Sequence, residues 1–326
     1  MGTPGRGHKS YLQFGVETTY GTAVAATHKV EVISMKVDPI IGVIRDPSLY
    51  DAVARRALYQ GGLMYKGNFV IRCNYSGLGV LWKAALGAVA TTGVGPYVHV
   101  FKESADLPSL TLQMIEGNIP ATQYQRVDGA IITSMTIRGT AGQGDDGMVQ
   151  VEFEVLAKNK LNVASAPTTI TNFPALAPVL FHHATVVDNG TGDTSSDIRV
   201  RSFEISHRSP FTEDRFYLGA TNIDQPLRED FVACQWKITS EFQTIAQFNA
   251  AAAFTVGDPE LTFTTGATAI LNIVSNSANL VEYSNPVENY GIILAQATWE
   301  AWYNSSDLTS LMLTTTNSQA AFDTAN

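Results

Sequence analysis

Every residue from Met148 to Leu156 changes side. Val149, Val151, Phe153 and Val155 fall on one side, and Gln150, Glu152 and Glu154 on the other. A period of two belongs to a strand with one buried face, and no helix satisfies it. Gly129–Arg138 reads as the partner run, and the Gly/Asp-rich residues 139–147 supply the turn, so this part of the chain is a β-hairpin. A chain built around such a hairpin is restricted to folds in which one side of a sheet meets a core and the other stays polar.

A second local signal lies in Gly61–Ala88. Asn68–Asn74 carries Phe69, Val70, Ile71 and Cys73, which reads as a strand. Leu78, Leu81, Trp82, Ala85 and Leu86 then recur at helical spacing, with Ser76 as the expected N-cap and Gly87 closing the helix. Asp230–Phe254 repeats the scheme: a strand over Phe231–Thr239, then a helix over Glu241–Ala253. Phe69-Val70 is echoed by Phe231-Val232, and at the same spacing Gly129–Ile132 is echoed by Gly291–Leu294. Val32-x-Ser34 has a counterpart in Val200-x-Ser202. The expectation is a mainly β chain of two tandem β-sandwich or half-barrel domains, each flanked by one short helix. The first covers residues 1–165 and the second 166–326, with Asn162–Pro178 as the linker. Residues 1–10 are expected to be disordered. Pro39–Gly62, which has no clean period, is expected to be a long loop, and Leu308–Asn326 a final strand or an arm.

Composition excludes more than it selects. A net charge of −9 opposes binding through neutralised phosphates, although an acidic surface can let DNA slide past by repelling it. Charged residues make up only 16% of the chain, a composition that suits surfaces lying against other subunits. The two cysteines, Cys73 and Cys234, cannot make a disulfide framework. Residues 1–10 lack the apolar run of a signal peptide, and no stretch is apolar for long enough to span a membrane as a helix.

No residue pattern specifies catalysis, a cofactor or a metal. His182-His183, on a strand, would point to opposite faces. Asp145-Asp146 lacks the remaining ligands of a calcium loop. Gly77-x-Gly79 has no third glycine at dinucleotide-binding spacing. Trp82, Trp236, Trp299 and Trp302 read as core or interface residues. The remaining candidates are surfaces. Arg45, Asp46, Tyr50, Arg55, Arg56 and Tyr59 crowd one segment, which reads as a phosphate clamp or, given the overall acidity, as a contact with a neighbouring subunit. Glu152 and Glu154 share the polar side of the hairpin.

Leu12–Thr22 follows the pattern apolar-Gly-x-Glu-x-x-aromatic-Gly-Thr. Gly67-x-Phe69 leads into the helix Leu78–Gly87, and Val200–Pro210 is followed by Phe231 and the second helix. In these elements and their order the chain resembles the major tail tube protein of long-tailed, non-contractile bacteriophages. The resemblance implies a structural virion protein whose subunits join sheets into rings, with the rings stacked into a tube that conducts DNA. It implies partners in the tape measure protein and other tail proteins, no cofactor, no membrane, and assembly in the host cytoplasm. Arg45, Asp46, Tyr50, Arg55, Arg56 and Tyr59 become candidates for contact between rings or subunits, and Glu152 and Glu154 candidates for an acidic lumen. With two tube-like domains per chain, three chains make a ring of pseudo-sixfold symmetry; six chains remain the alternative. Other readings are a distal tail ring, a decoration protein or a β-rich glycan-active enzyme. The last would need paired carboxylates in a cleft.

Overall fold

Alternating runs give twenty strands and two short helices among the described residues of the computed structural model: 6–48, 53–54, 57–117, 124–142, 144, 147–163, 170, 177–188, 193–194, 199–243, 245–287 and 291–323. In the first half these are β1 (Arg6–Val16), β2 (His28–Val30), β3 (Val32–Arg45), β4 (Leu58–Arg72), α1 (Gly79–Leu86), β5 (Gly87–Thr92), β6 (Tyr97–Glu103), β7 (Leu110–Gly117), β8 (Tyr124–Thr140), β9 (Gln150–Ala157) and β10 (Asn159–Val163). The second half holds β11 (Ala184–Asp188), β12 (Asp193–Thr194), β13 (Val200–Arg208), β14 (Ala233–Glu241), α2 (Ala246–Ala252), β15 (Val256–Gly257), β16 (Pro259–Thr264), β17 (Ile270–Val274), β18 (Ala278–Ser284), β19 (Leu294–Ala301) and β20 (Met312–Asn317). The chain is mainly β, and its antiparallel strands form two sheets of thirteen and seven strands.

The large sheet turns on β8. The second half of β8 lies between β9 and β13, and its first half between β7 and β10. One level of the sheet therefore runs β3-β4-β9-β8-β13-β14-β19-β18, and the other carries β2-β1-β7-β8-β10. The small sheet runs β12-β11-β16-β17-β20-β6-β5, so both sheets contain strands from both halves.

Period-two patterning now acts across strands. Ile71, Val151, Ile137, Ile205, Trp236, Trp299 and Leu280 are register neighbours on seven successive strands, and all are buried. They face the small sheet, where Phe101, Leu261, Phe263, Leu271, Ile273 and Leu313 are buried. Phe203 and Phe263 meet between the layers with ring centroids 5.8 Å apart. Each buried large side chain contributes about 1.5–3 kcal/mol, which makes this shared interior the main stabilising term.

Helix α1 is too short to persist by itself and is held by packing. It buries Val80, Leu81, Trp82, Ala84, Ala85 and Leu86, with Trp82 5.8 Å from the Phe153 ring. Leu78, rather than Ser76, occupies the N-cap. Gly87 ends the helix at φ +107°, a conformation that disfavours other residues. Helix α2 is shorter than the sequence suggests. Glu241 stays in β14 opposite Leu294 and forms ion pairs with Arg199 and Arg201, which postpones the helix to Ala246.

Two further expectations change. The N-terminal segment is ordered from Arg6, because β1 pairs with β7. Pro39–Gly62 is largely a β-ribbon rather than a loop: β3 and β4 stay paired to Arg45↔Leu58, well past the last β4–β9 pair at Tyr65↔Ala157. Pro39 is tolerated because β3 is an edge strand. The expected linker falls largely outside the described residues, as do Asp145 and Asp146.

The four-strand order β3-β4-β9-β8 recurs as β13-β14-β19-β18, and the irregularities recur with it. The β3–β4 ladder shifts register between Val32 and Ser34, and the β13–β14 ladder between Val200 and Ser202. The β8–β9 ladder shifts between Ile132 and Ser134, and the β18–β19 ladder between Leu280 and Glu282. Aligned on these bulges, Phe69 corresponds to Ile238. Phe231, its sequence echo, is 92% exposed and lies before β14. The Val32/Val200 match, by contrast, falls on the bulge itself.

Candidate assembly surfaces

The first surface is the ribbon. Ile40, Ile41, Val43, Ile44, Leu58 and Tyr59 are all exposed on it. Six large apolar side chains on one projecting hairpin mark a surface meant to be covered. Arg45 ends β3 and is exposed. Asp46 follows, and its carboxylate accepts a 2.9 Å bond from the Ser48 amide, which with the Ser48 side chain holds its pKa below the ordinary value. Tyr59 lies opposite Ile44. The structure thus brings Arg45, Asp46 and Tyr59 to one end of the ribbon, while Tyr50, Arg55 and Arg56 lie outside the described residues.

Gly67 lets the ribbon leave the sheet. A Cβ there would stand 1.8 Å from the Lys36 carbonyl oxygen, so the two backbones approach more closely than any other residue permits. The 209–232 segment braces the ribbon's base. The Leu63 amide bonds the Thr221 carbonyl at 2.7 Å, the Ile223 amide bonds the Leu63 carbonyl at 3.1 Å, and Lys66 pairs with Glu213.

The second surface is the polar side of the large sheet. Alternation puts Glu152 and Glu154 there, beside Thr136 and Ser134 of β8. Glu152 accepts from Asn68 and lies 3.4 Å from Arg138, whereas Glu154 is exposed. Several cations of this face are paired: Lys36 with Asp38, Arg72 with Glu31, Lys237 with Glu204. A cleft here is lined by Lys36, Asp38, Lys66, Glu154, Arg208 and Glu213, and at least two of its carboxylates are engaged by lysines.

The third surface is the pair of sheet edges. β3 has β4 as its ladder partner. β18 has β19 along its length, and β15 only at Ala278 and Asn279. Beside β18, α2 exposes Ile245 and Phe248, and Phe248 packs edge-on to Tyr283 at 6.3 Å.

Two carboxylates that the sequence does not single out, Glu17 buried and Glu103 half-buried, tie these elements together. Glu17 accepts bonds from the Gly21 amide (2.8 Å), Ser109 Oγ (2.7 Å), Thr111 Oγ1 (2.8 Å) and the Gly129 amide (2.8 Å). The signal that could have found it was the Glu17-x-x-Tyr20-Gly21 pattern. Gly21 turns at φ +71°, and Tyr20 packs against Gly129. Glu103, on β6, reaches across the core to His207 Nε2 at 3.1 Å and accepts bonds from the Ser310 amide and hydroxyl. Burial disfavours its charge, but the His207 bond and charge and the Ser310 bonds outweigh burial and hold its pKa below the ordinary value of 4.5. A depressed folded-state pKa stabilises the fold above the unfolded value, and that stability is lost as pH falls. Melting temperature is therefore expected to drop as the pH is lowered below about 4.5, with a shallower drop in Glu103→Gln, which should also be about 1–3 kcal/mol less stable at pH 7. Parallel acid profiles for the two proteins would show that the bridge has no such part.

His182 and His183 lie in a short 3-10 turn, with ring centroids 4.5 Å apart, rather than on a strand. Among the described residues no group of three or more His, Cys, Asp or Glu is placed to hold a metal, and no helix is long and apolar enough to cross a membrane.

Two packed antiparallel sheets define a β-sandwich protein. The family of phage tail tube proteins matches residues 7–301, most of the chain, and the protein belongs to that family. It is a structural component of the bacteriophage tail, from a structural rather than an enzymatic family. No curated protein matches the chain.

Proposed function

We propose that the chain assembles with copies of itself into stacked rings that form the tail tube, through which DNA leaves the particle. Each half, 1–165 and 166–326, acts as one tube unit. Three chains make a ring of pseudo-sixfold symmetry, built by association in the host cytoplasm with the tape measure protein and other tail proteins. The observation that carries this reading is the recurrence of β3-β4-β9-β8 as β13-β14-β19-β18 with both bulges in matching places. Two equivalent units already joined side by side make one third of a closed ring.

The polar face of the large sheet lines the lumen, with Glu152 and Glu154 facing the DNA. The net charge of −9 makes the wall repulsive, and carboxylates pair with Lys36, Arg72, Arg138 and Lys237 there, which weakens any grip on phosphates. Arg45, Asp46, Tyr50, Arg55, Arg56 and Tyr59 contact the next ring. Electron microscopy of the purified protein or of virions tests the reading. End-on averages should show threefold rings with six similar lobes. A ring of six chains would refute the stoichiometry, and a protein that is monomeric at high concentration, with no rings in virions, would refute the function.

A further inference from the structure

The level of the large sheet that runs through eight strands starts at β3 and stops at β18; among the described residues β3 has no second ladder partner, and β18 has β15 only at Ala278 and Asn279. Ile33, Ile40 and Ile41 are exposed along β3, and Val281 and Val287 along or just beyond β18. Long apolar edges of this kind are a pairing hazard unless a partner takes them. The chain also contains one place where its two four-strand units already meet. There β8 pairs antiparallel with β13, in the register Ser134↔Arg208, Met135↔His207 and Thr136↔Ser206.

We propose that β18 of one copy pairs antiparallel with β3 of a second copy in the register that β8 and β13 use within the chain. The inference rests on the ring reading above and specifies its joint. β8 and β18 are the last strands of their units, and β13 and β3 the outer strands of theirs. The bulges fix the correspondence residue by residue. Ser134 follows one bulge as Glu282 follows the other, and Ser34 corresponds in the same way to Ser202. Carried across, the internal register places Glu282 opposite Ile40, Tyr283 opposite Pro39 and Ser284 opposite Asp38 of the next copy.

A separate observation agrees. Below its bulge, the outer side of β8 is occupied by β7 at Ala130, two residues before Ile132. Below its own bulge, β18 is occupied by β15 at Ala278, two residues before Leu280. Both strands are thus blocked on one side of the bulge and open on the other. In β8 the open part holds β13; in β18 it is vacant among the described residues. Pro39 removes one donor from the new ladder and blunts β3 while the subunit is free. Because the two faces of the joint differ, each copy offers one of each, and the contact is head-to-tail, the kind from which a ring is built, rather than a symmetric dimer.

The test uses the full-length chain carrying Asp38→Cys and Ser284→Cys. Both positions are exposed. Cys73 and Cys234 are fully buried, with thiol pKa values pushed up by burial, and will not compete. In the internal joint, the Ala141 amide bonds the Arg201 carbonyl and the Ser209 amide bonds the Thr133 carbonyl, so Thr136↔Ser206 is a non-hydrogen-bonded pair. Such pairs bring Cα atoms to about 4.5 Å, within disulfide range. Mild oxidation of assembled protein should give a covalent ladder that ends at three chains. The shifted pair Ile40→Cys with Ser284→Cys should cross-link at least about fivefold less, since diagonal neighbours are about 7–8 Å apart. Rings seen by electron microscopy with the shifted pair favoured, or with neither pair linked, would overturn the register and leave the ring reading standing. Absence of rings from every form of the protein would overturn both. On the unaltered chain, assembly should slow amide exchange in residues 34–40 and 280–287 by at least about tenfold; unchanged exchange in assembled rings would also overturn the joint.

Discussion

Glu17→Ala is expected to lower the stability of the subunit by about 3–5 kcal/mol, enough to prevent accumulation of folded protein at physiological temperature. Four donors converge on this carboxylate, and two of them, the Gly21 and Gly129 amides, cannot turn elsewhere. A buried donor stripped of its acceptor costs about 1–3 kcal/mol, and the loss falls where β1 is tied to the midpoint of β8. Since β8 joins both levels of the large sheet, loosening it at Gly129 affects the whole molecule. Glu17→Gln keeps the shape and one good acceptor, and should lose roughly half as much. Denaturant unfolding of the two variants measures this. A loss under 1 kcal/mol in Glu17→Ala would mean that the carboxylate is not the anchor described.

Removal of the ribbon should have the opposite profile, a folded subunit that no longer makes tubes. Deleting Ile44–Tyr59 and joining Val43 to Gln60 through Asn-Gly cuts the ladder at an existing pair and closes it with a favoured hairpin turn. The large apolar side chains described in the deleted span, Ile44, Val53, Leu58 and Tyr59, are exposed, so unfolding stability should change by less than about 1 kcal/mol. Stacking should fail, because each ring contact loses Ile44, Leu58 and Tyr59. At about 1.5–3 kcal/mol for each large apolar side chain, even Ile44→Ser with Leu58→Ser should raise the concentration needed for tubes by roughly a hundredfold or more. Sedimentation and negative-stain images of the deletion variant decide the matter. Tubes of normal length would remove the ribbon from the contact between rings.

How legible these features are in the sequence depends on whether one face or two are buried. The Gly129–Leu156 hairpin could be read because its core face and its polar face differ. Strands β3 and β4 beyond Pro39 could not, because no described residue on either face of the ribbon is buried and no alternation is imposed. Strand β18 is equally hard to read. Ala278, Asn279 and Leu280 are all buried, since Ala278 and Leu280 join the core while Asn279 bonds the Phe254 carbonyl and the Trp302 indole. Phe231 misled because Phe-Val has high strand propensity anywhere, whereas the register shows it outside β14. Gly67 stands in the Gly67-x-Phe69 motif, but its reason, the close approach of Lys36, exists only once β3 lies against β4.

The sequence by itself determined the local facts: where the chain alternates and where it turns helical. It also carried the order of elements that resembles tail tube proteins. The tertiary structure alone decided which strand lies beside which. It decided that β8 serves two ladders, that both halves share both sheets, and that β3 and β18 are left as edges. The physical reason is that alternation specifies which face of a strand is buried but not its neighbour. Pairing is a contact between residues far apart in the chain, chosen by the packing of the whole core.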